Sequence, residues 1–207
     1  MADRRSTARE GGRHARLTRA QVAVIERETS PLEARFARTV ALACAAVAQN
    51  PNPLLPVTSY KGVTRTLDDW ATVFNIALIV LPDRPEGAGF VPVVDRIFRT
   101  FGDSDVRTVV CVPSTAAITK RILGDAVDRW LTWCDPERAL VESLGLERLP
   151  AFLLLRQDTQ LVTAAQGWSP TEWQRVAEEI ARKEHWTVPI VSKRGDPAPT
   201  AGWPVAS

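Results

Sequence analysis

The stretch Trp133-WCDPERALVESLGLERLPAFLLLRQDTQLVTAAQGWSPTEWQRV-Val176 decides the fold. Asp135-Pro136 opens a helix that Gly145 closes. Leu149-Pro150 leads into the apolar run Ala151 to Leu155, and Gln160 to Ala165 follows after a polar turn. Two such runs around a short polar turn predict a β-hairpin. Ser169-Pro170-Thr171-Glu172 then forms a capping box with proline at the first helical position. Trp173, Val176, Ala177, Ile180 and Ala181 recur at helical spacing behind it.

Working back toward the N-terminus, strands and helices alternate. Phe74 to Leu81 is nearly all apolar, as a strand buried on both faces requires. Gly89 to Phe101 carries Phe90, Val94, Ile97, Phe98 and Phe101 on one helical face. Val106 to Val112 is a second β-branched run. Ser114 or Thr115 caps a helix expected to reach Asp128, and Trp130 to Trp133 is a short strand. Early βα alternation implies parallel neighbours, and the late hairpin implies an antiparallel pair. The expected fold class is α/β, three-layered, with a central mixed sheet.

Four regions are expected. Residues 1–17 carry Arg4, Arg5, Arg9, Arg13 and Arg16 with almost no large apolar residue, which predicts a disordered basic arm. Residues 18–62 form a helical N-terminal extension. Its main helix spans 31–49, with Ser30, Pro31 and Glu33 at its start and Phe36, Val40, Cys44 and Val47 along one face. Residues 63–186 form the α/β domain. Residues 187–207 are a proline-rich C-terminal tail, read as an ordered strap or a free end.

At this point the sequence resembles the thioredoxin-like superfamily, in particular its peroxiredoxin and TlpA-type branch. The quoted stretch is similar to that family's distal half, and Leu81-LPDRPEGAGFVPVVDRIF-Phe98 is similar to its strand-to-helix turn. The helix after Val112 resembles the insertion of peroxiredoxin-type members. The resemblance covers residues 72–184. It implies a thioredoxin-like fold, with Pro150 as the family's cis-proline and Pro92 as the kink proline of its first long helix. Counting back from Pro92, the redox cysteines of the family would fall on Arg84 and Gly87. A thiolate at a helix N-terminus is what that chemistry needs, because the free amides there lower its pKa.

The chain has three cysteines, Cys44, Cys111 and Cys134, far apart, and two histidines, His14 and His185. That spacing supports neither a disulfide framework nor a zinc site. Cys111 falls inside a strand pattern. Cys134 precedes Asp135, which would repel a thiolate. The residues offer no nucleophile triad and no phosphate-binding glycine pattern. Trp168, Trp173 and Trp186 read as core. No catalytic, metal or cofactor-binding residue is assigned, and no cofactor is expected.

Net charge is +2, and no segment reaches the ~18–20 apolar residues that span a bilayer. No signal-peptide pattern is visible, so a cytoplasmic protein is expected. Nucleic acid has a single candidate contact, the arm 1–17, which lacks interleaved aromatic residues for base stacking. The leading expectation is a redox-inactive module that binds another protein through Arg84, Gly87, Leu149 and Pro150. The alternatives are a thiol oxidoreductase using a single atypical cysteine and an anion or cofactor binder at the Arg84 turn.

Overall fold

Seven strands form one mixed sheet in the computed structural model, which describes residues 48–205. The strands are β1 (Pro56–Ser59), β2 (Thr64–Thr66), β3 (Asn75–Val80), β4 (Val106–Val112), β5 (Leu131–Cys134), β7 (Ala151–Leu155) and β8 (Leu161–Gln166). Their order across the sheet is β2-β1-β5-β4-β3-β7-β8. Strand β3 runs parallel to β4 and antiparallel to β7, while β5 runs parallel to β4 and antiparallel to β1. A separate two-stranded ladder joins β6 (Arg148–Leu149) to β9 (Trp203–Pro204).

Alternation along β3 divides the core in two. Ala77 and Ile79, continued by Leu81, join Phe152, Leu154, Val110 and Val112 on one face. Helices α2 (Val91–Phe101) and α6 (Pro170–Glu184) cover that face through Val94, Ile97, Phe98, Trp173, Val176 and Ile180. Ile76, Leu78 and Val80 join Val109, Cys111, Trp133 and Leu153 on the other face. There α1 (Leu67–Ala71) and α5 (Ala139–Ser143) supply Leu67, Trp70, Leu140 and Val141. Every residue from Ile76 to Leu81 has no exposed area. A strand buried on both faces needs a near-continuous apolar sequence, and the run at 75–80 has that composition.

Several elements depart from the sequence expectation. The helix expected from Gly89 begins at Val91, preceded by a 3₁₀ helix over Pro85–Phe90. The helix expected to run to Asp128 stops at Leu123. It is two pieces, α3 (Ala116–Leu123) and α4 (Ala126–Arg129). Gly124 lies between them with φ +56, and its amide bonds Lys120 O. A glycine at positive φ after the last helical turn is a standard stop. Thr115 makes no side-chain cap. The helix expected from Asp135-Pro136 starts at Ala139, because Arg138 adopts the left-handed conformation at φ 58.

The β1–β2 hairpin and α1 were not read from the sequence. The hairpin turn crosses residue 62, and β1 adds an edge to the main sheet through β5. Thr66 and Asp69 form a full capping box at the start of α1. The Trp70 indole N–H reaches Val57 O at 3.1 Å, tying α1 to the hairpin. The expected arm 1–17 and residues 31–47 of the expected helix lie outside the described residues, and residues 48 and 49 are not helical. No described helix is long and apolar enough to cross a membrane.

Asp135 organises the link from β5 to α5. Its Oδ2 accepts from the amides of Leu140 and Val141, both at 3.1 Å. Its own amide donates to Val112 O at 3.1 Å, at the end of β4. Burial raises its pKa, and the hydrogen bonds from Val141, Leu140 and Ala139 oppose that rise. We expect Asp135→Ala to cost about 1–3 kcal/mol, since it strips two buried amides of their acceptor. Asp135→Asn keeps an acceptor oxygen without a charge to desolvate, and is expected to cost less than half as much. Urea unfolding of the two variants at pH 7 checks the ranking.

Candidate functional site

The register of the central strands builds the site. Val80, the last residue of β3, lies opposite Ala151, the first residue of β7. The turn that leaves β3 is thereby set at the same end of the sheet as the loop that enters β7. Leu81 prolongs the β3 edge by one bond, donating to Cys111 O at 2.9 Å. Pro82, Asp83 and Arg84 form the turn, and Arg84 is the N-cap of the 3₁₀ helix with Pro85 at its first position. On the facing loop, the Leu149–Pro150 peptide is cis and Leu149 is buried.

Gly87 stands at one of the two positions where the resemblance would put a redox cysteine. A Cβ there would lie 2.4 Å from Pro82 O and 3.2 Å from Ile122 Cγ2. The first neighbour is backbone and cannot swing aside, so the site admits no side chain without a shift of the turn. Arg84, at the other position, is half-buried, and its guanidinium lies 5.8 Å from the centre of the Trp203 ring. Its Nε is buried without a hydrogen-bond partner. Asp83 beside it pairs with Arg138 at 2.8 Å.

An anion would find few donors at this turn. Pro85 has no amide hydrogen, and the Gly87 amide donates to Arg84 O at 2.9 Å. Glu86 adds negative charge in the same turn. Among the described residues no group of three or more His, Cys, Asp or Glu could hold a metal ion.

Neither described thiol lies within the Arg84 turn. Cys111 is fully buried in β4. Burial pushes its thiol well above the usual value, and the charges of Asp135 and Cys134 push it further in the same direction. Cys134 is buried at the end of β5, and its thiol is also raised by burial, against a contact with Thr119 Oγ1 at 3.6 Å. A raised pKa lowers the thiolate fraction, and the thiolate is the nucleophile. Cys44 lies outside the described residues.

The sequence reading missed what covers the loop. Residues 200–205 run across it as an extended segment. Leu149 pairs with Trp203 and Arg148 with Pro204, antiparallel, and the Val205 amide donates to Glu147 O at 2.9 Å. Trp168 and Thr200 exchange both backbone bonds, at 2.8 and 2.9 Å. Of the three tryptophans read as core, Trp168 and Trp173 are buried and in edge-to-face contact at 5.0 Å, while Trp186 is 40% exposed. One signal was available: an aromatic residue set between Gly202 and Pro204 is unusual in a free polar tail.

No family model and no curated protein sequence matches this chain. Solved structures do match. The thioredoxin domain of a thiol-disulfide oxidoreductase from Bacteroides vulgatus aligns at 12% identity with a TM-score of 0.52, over 64% of this chain and 96% of that one. Peroxidoxin BcpB from Mycobacterium tuberculosis aligns at 12% identity and TM-score 0.51, over 67% of this chain and 97% of its own. Peroxiredoxin Q from Xanthomonas campestris aligns at 14% identity and TM-score 0.51, over 66% and 95%. Identities this low speak for the fold alone. With the strand order, the parallel and antiparallel pairings and the three layers already described, they establish that this chain has the thioredoxin-like fold of thiol-disulfide oxidoreductases and peroxiredoxins.

Proposed function

We propose that this protein is a redox-inactive thioredoxin-like module that binds another protein at the surface formed by the Arg84 turn and the Leu149-Pro150 loop. The observation that carries the reading is the ladder between Leu149 and Trp203. There the backbone before Pro150 pairs with an extended segment of the same chain, without a thiol, which supports the reading. Recognition by strand addition draws affinity from main-chain hydrogen bonds and selectivity from flanking pockets. Arg84 supplies the flanking selectivity, through its charge and its planar face for aromatic or carboxylate groups.

Redox inactivity is supported by chemistry at three places. Arg84 carries no sulfur, Gly87 has no room for one, and the described thiols are buried with raised pKa values. In a Cys44→Ser background, the two remaining thiols should react with a disulfide reagent at least a hundredfold more slowly in the native protein than after denaturation. Neither insulin reduction nor peroxide consumption should exceed background. Turnover lost in Cys111→Ser or Cys134→Ser would instead establish single-cysteine chemistry. Gly87→Ala should lower stability by about 1–3 kcal/mol, as overpacking against backbone does. Denaturant unfolding checks it.

Binding is tested with a partner captured from the native organism, by comparing affinities for the wild type, Arg84→Glu, Pro150→Ala and a chain lacking residues 1–17. A tenfold weakening by Arg84→Glu, about 1.4 kcal/mol, with an unchanged melting curve, supports the loop surface. Weakening by the arm deletion alone would move the site to the basic arm.

A further inference from the structure

The C-terminal segment meets the protein in two stretches, the first held by side chains and the second by backbone pairing. The first is anchored. Val191 is fully buried, and its amide donates to Gln174 Oε1 at 3.2 Å. Arg96 donates to the carbonyls of Ile190 and Val191, at 3.0 and 2.6 Å, and pairs with Asp196 at 2.5 Å. The second stretch, Thr200 to Val205, runs beside the Leu149-Pro150 loop and is held by backbone pairing. Ala201 and Pro204 are exposed, and Thr200, Gly202, Trp203 and Val205 are half-buried.

That second stretch has the contacts of a bound peptide. Its backbone pairs with Trp168 on one side and with Leu149 and Glu147 on the other. At Gly202, φ is +81, and a Cβ would lie 2.5 Å from Leu149 O and 3.0 Å from the Gly167 Cα. Gly167 mirrors it: φ is +74, and a Cβ there would lie 2.7 Å from Ala201 O. The two backbone segments approach closely only because both positions lack side chains. The next residue is aromatic. The Trp203 ring stands between the Arg84 guanidinium, at 5.8 Å, and the Phe90 ring, edge-to-face at 6.4 Å. Pro204 follows opposite Arg148, and the next bond of the ladder comes from the Val205 amide, so no amide is required of residue 204. The groove therefore reads main chain, then glycine, then an aromatic ring, then a residue that needs no amide.

We propose that Thr200–Val205 is a resident peptide ligand, and that the groove accepts in trans an extended segment of the same Gly-aromatic-Pro pattern from another protein when the resident segment releases. The inference rests on reading this loop pair as a binding surface, and adds to it the chemistry of the partner and a built-in competitor. The anchor at Val191 and Asp196 keeps the competitor at high local concentration, as a short tether does. A partner must displace it, so the free groove is the minority state and apparent affinity is lowered accordingly.

The test uses a labelled synthetic peptide of residues 197–207 and full-length chains, read by fluorescence anisotropy. Gly202→Val in the chain crowds the resident segment while leaving the groove walls unchanged. That chain should bind the peptide at least tenfold more tightly than the wild type does, and a peptide carrying Trp203→Ala should bind it at least tenfold more weakly. Equal affinity of the two chains for the peptide, or no binding to a cooperatively folded Gly202→Val chain, overturns the proposal. Should that variant not fold, hydrogen exchange on the wild type decides. Excess peptide should speed exchange at the chain's own Thr200 and Val205 amides while Trp168 stays protected, and unchanged exchange at Thr200 and Val205 overturns the proposal. Peptide exchange combined with partner affinity untouched by Arg84→Glu upholds the resident ligand and overturns the wider binding reading. The reverse pattern overturns the resident ligand alone.

Discussion

Strand β3 is paired on both edges from Ile76 to Val80, with β4 on one side and β7 on the other, and the geometry of the site follows from that double pairing. The antiparallel register with β7 sets Val80 opposite Ala151. The chain leaving β3 and the chain entering β7 must then emerge at the same end of the sheet. The parallel register with β4 sets Val80 opposite Cys111, which buries that cysteine beneath the turn instead of within it. A slip of one residue in either ladder would send Ile76, Leu78 and Val80 to the wrong face, and both core clusters would lose their central rows. Burial on both faces therefore locks the position of the Arg84 turn more firmly than any contact within the turn does.

The sequence carried this central architecture because its signals are local. An apolar run with no polar break, an amphipathic helix with Val94, Ile97 and Phe98 on one face, and a capping box at Ser169 each depend on a few neighbouring residues. Ser169 Oγ does accept from the Glu172 amide, at 3.3 Å. What escaped depends on distant partners. Strand β1 has four residues in an alternating burial pattern and is defined by its pairing with β5, more than seventy positions away in the chain. Its composition, Pro-Val-Thr-Ser, is that of a loop. The break at Gly124 was missed for a different reason: the apolar spacing continues through Val127, and only the positive φ of the glycine ends the helix.

At the candidate site the residues were legible and their surroundings were not. Arg84, Gly87, Leu149 and Pro150 could be located by counting from Pro92 and from the hairpin. That Gly87 is closed by Pro82 O and that Leu149 is already paired could not be, because both facts concern backbone approaching backbone. Glycines 167 and 202 are 35 positions apart, and nothing in either neighbourhood announces that they face each other. Only the isolated Trp203 hinted at a docked segment, since a ring of that size left in water forfeits the free energy that its burial would contribute.

The aromatic side chains give the docked segment a continuous path into the core. Trp203 meets Phe90, Phe90 meets Trp168, Trp168 meets Trp173 and Trp173 meets Phe152, with ring centres 5.0 to 6.4 Å apart. Phe152 and Trp173 belong to the sheet and the terminal helix, so the inner end of the path is rigid. Its outer end rests on Arg84, whose flat guanidinium caps the Trp203 ring where a cysteine would offer only a small sulfur atom. Arg84 thus supplies, at a position where the resemblance would put a cysteine, the face on which the aromatic residue lies.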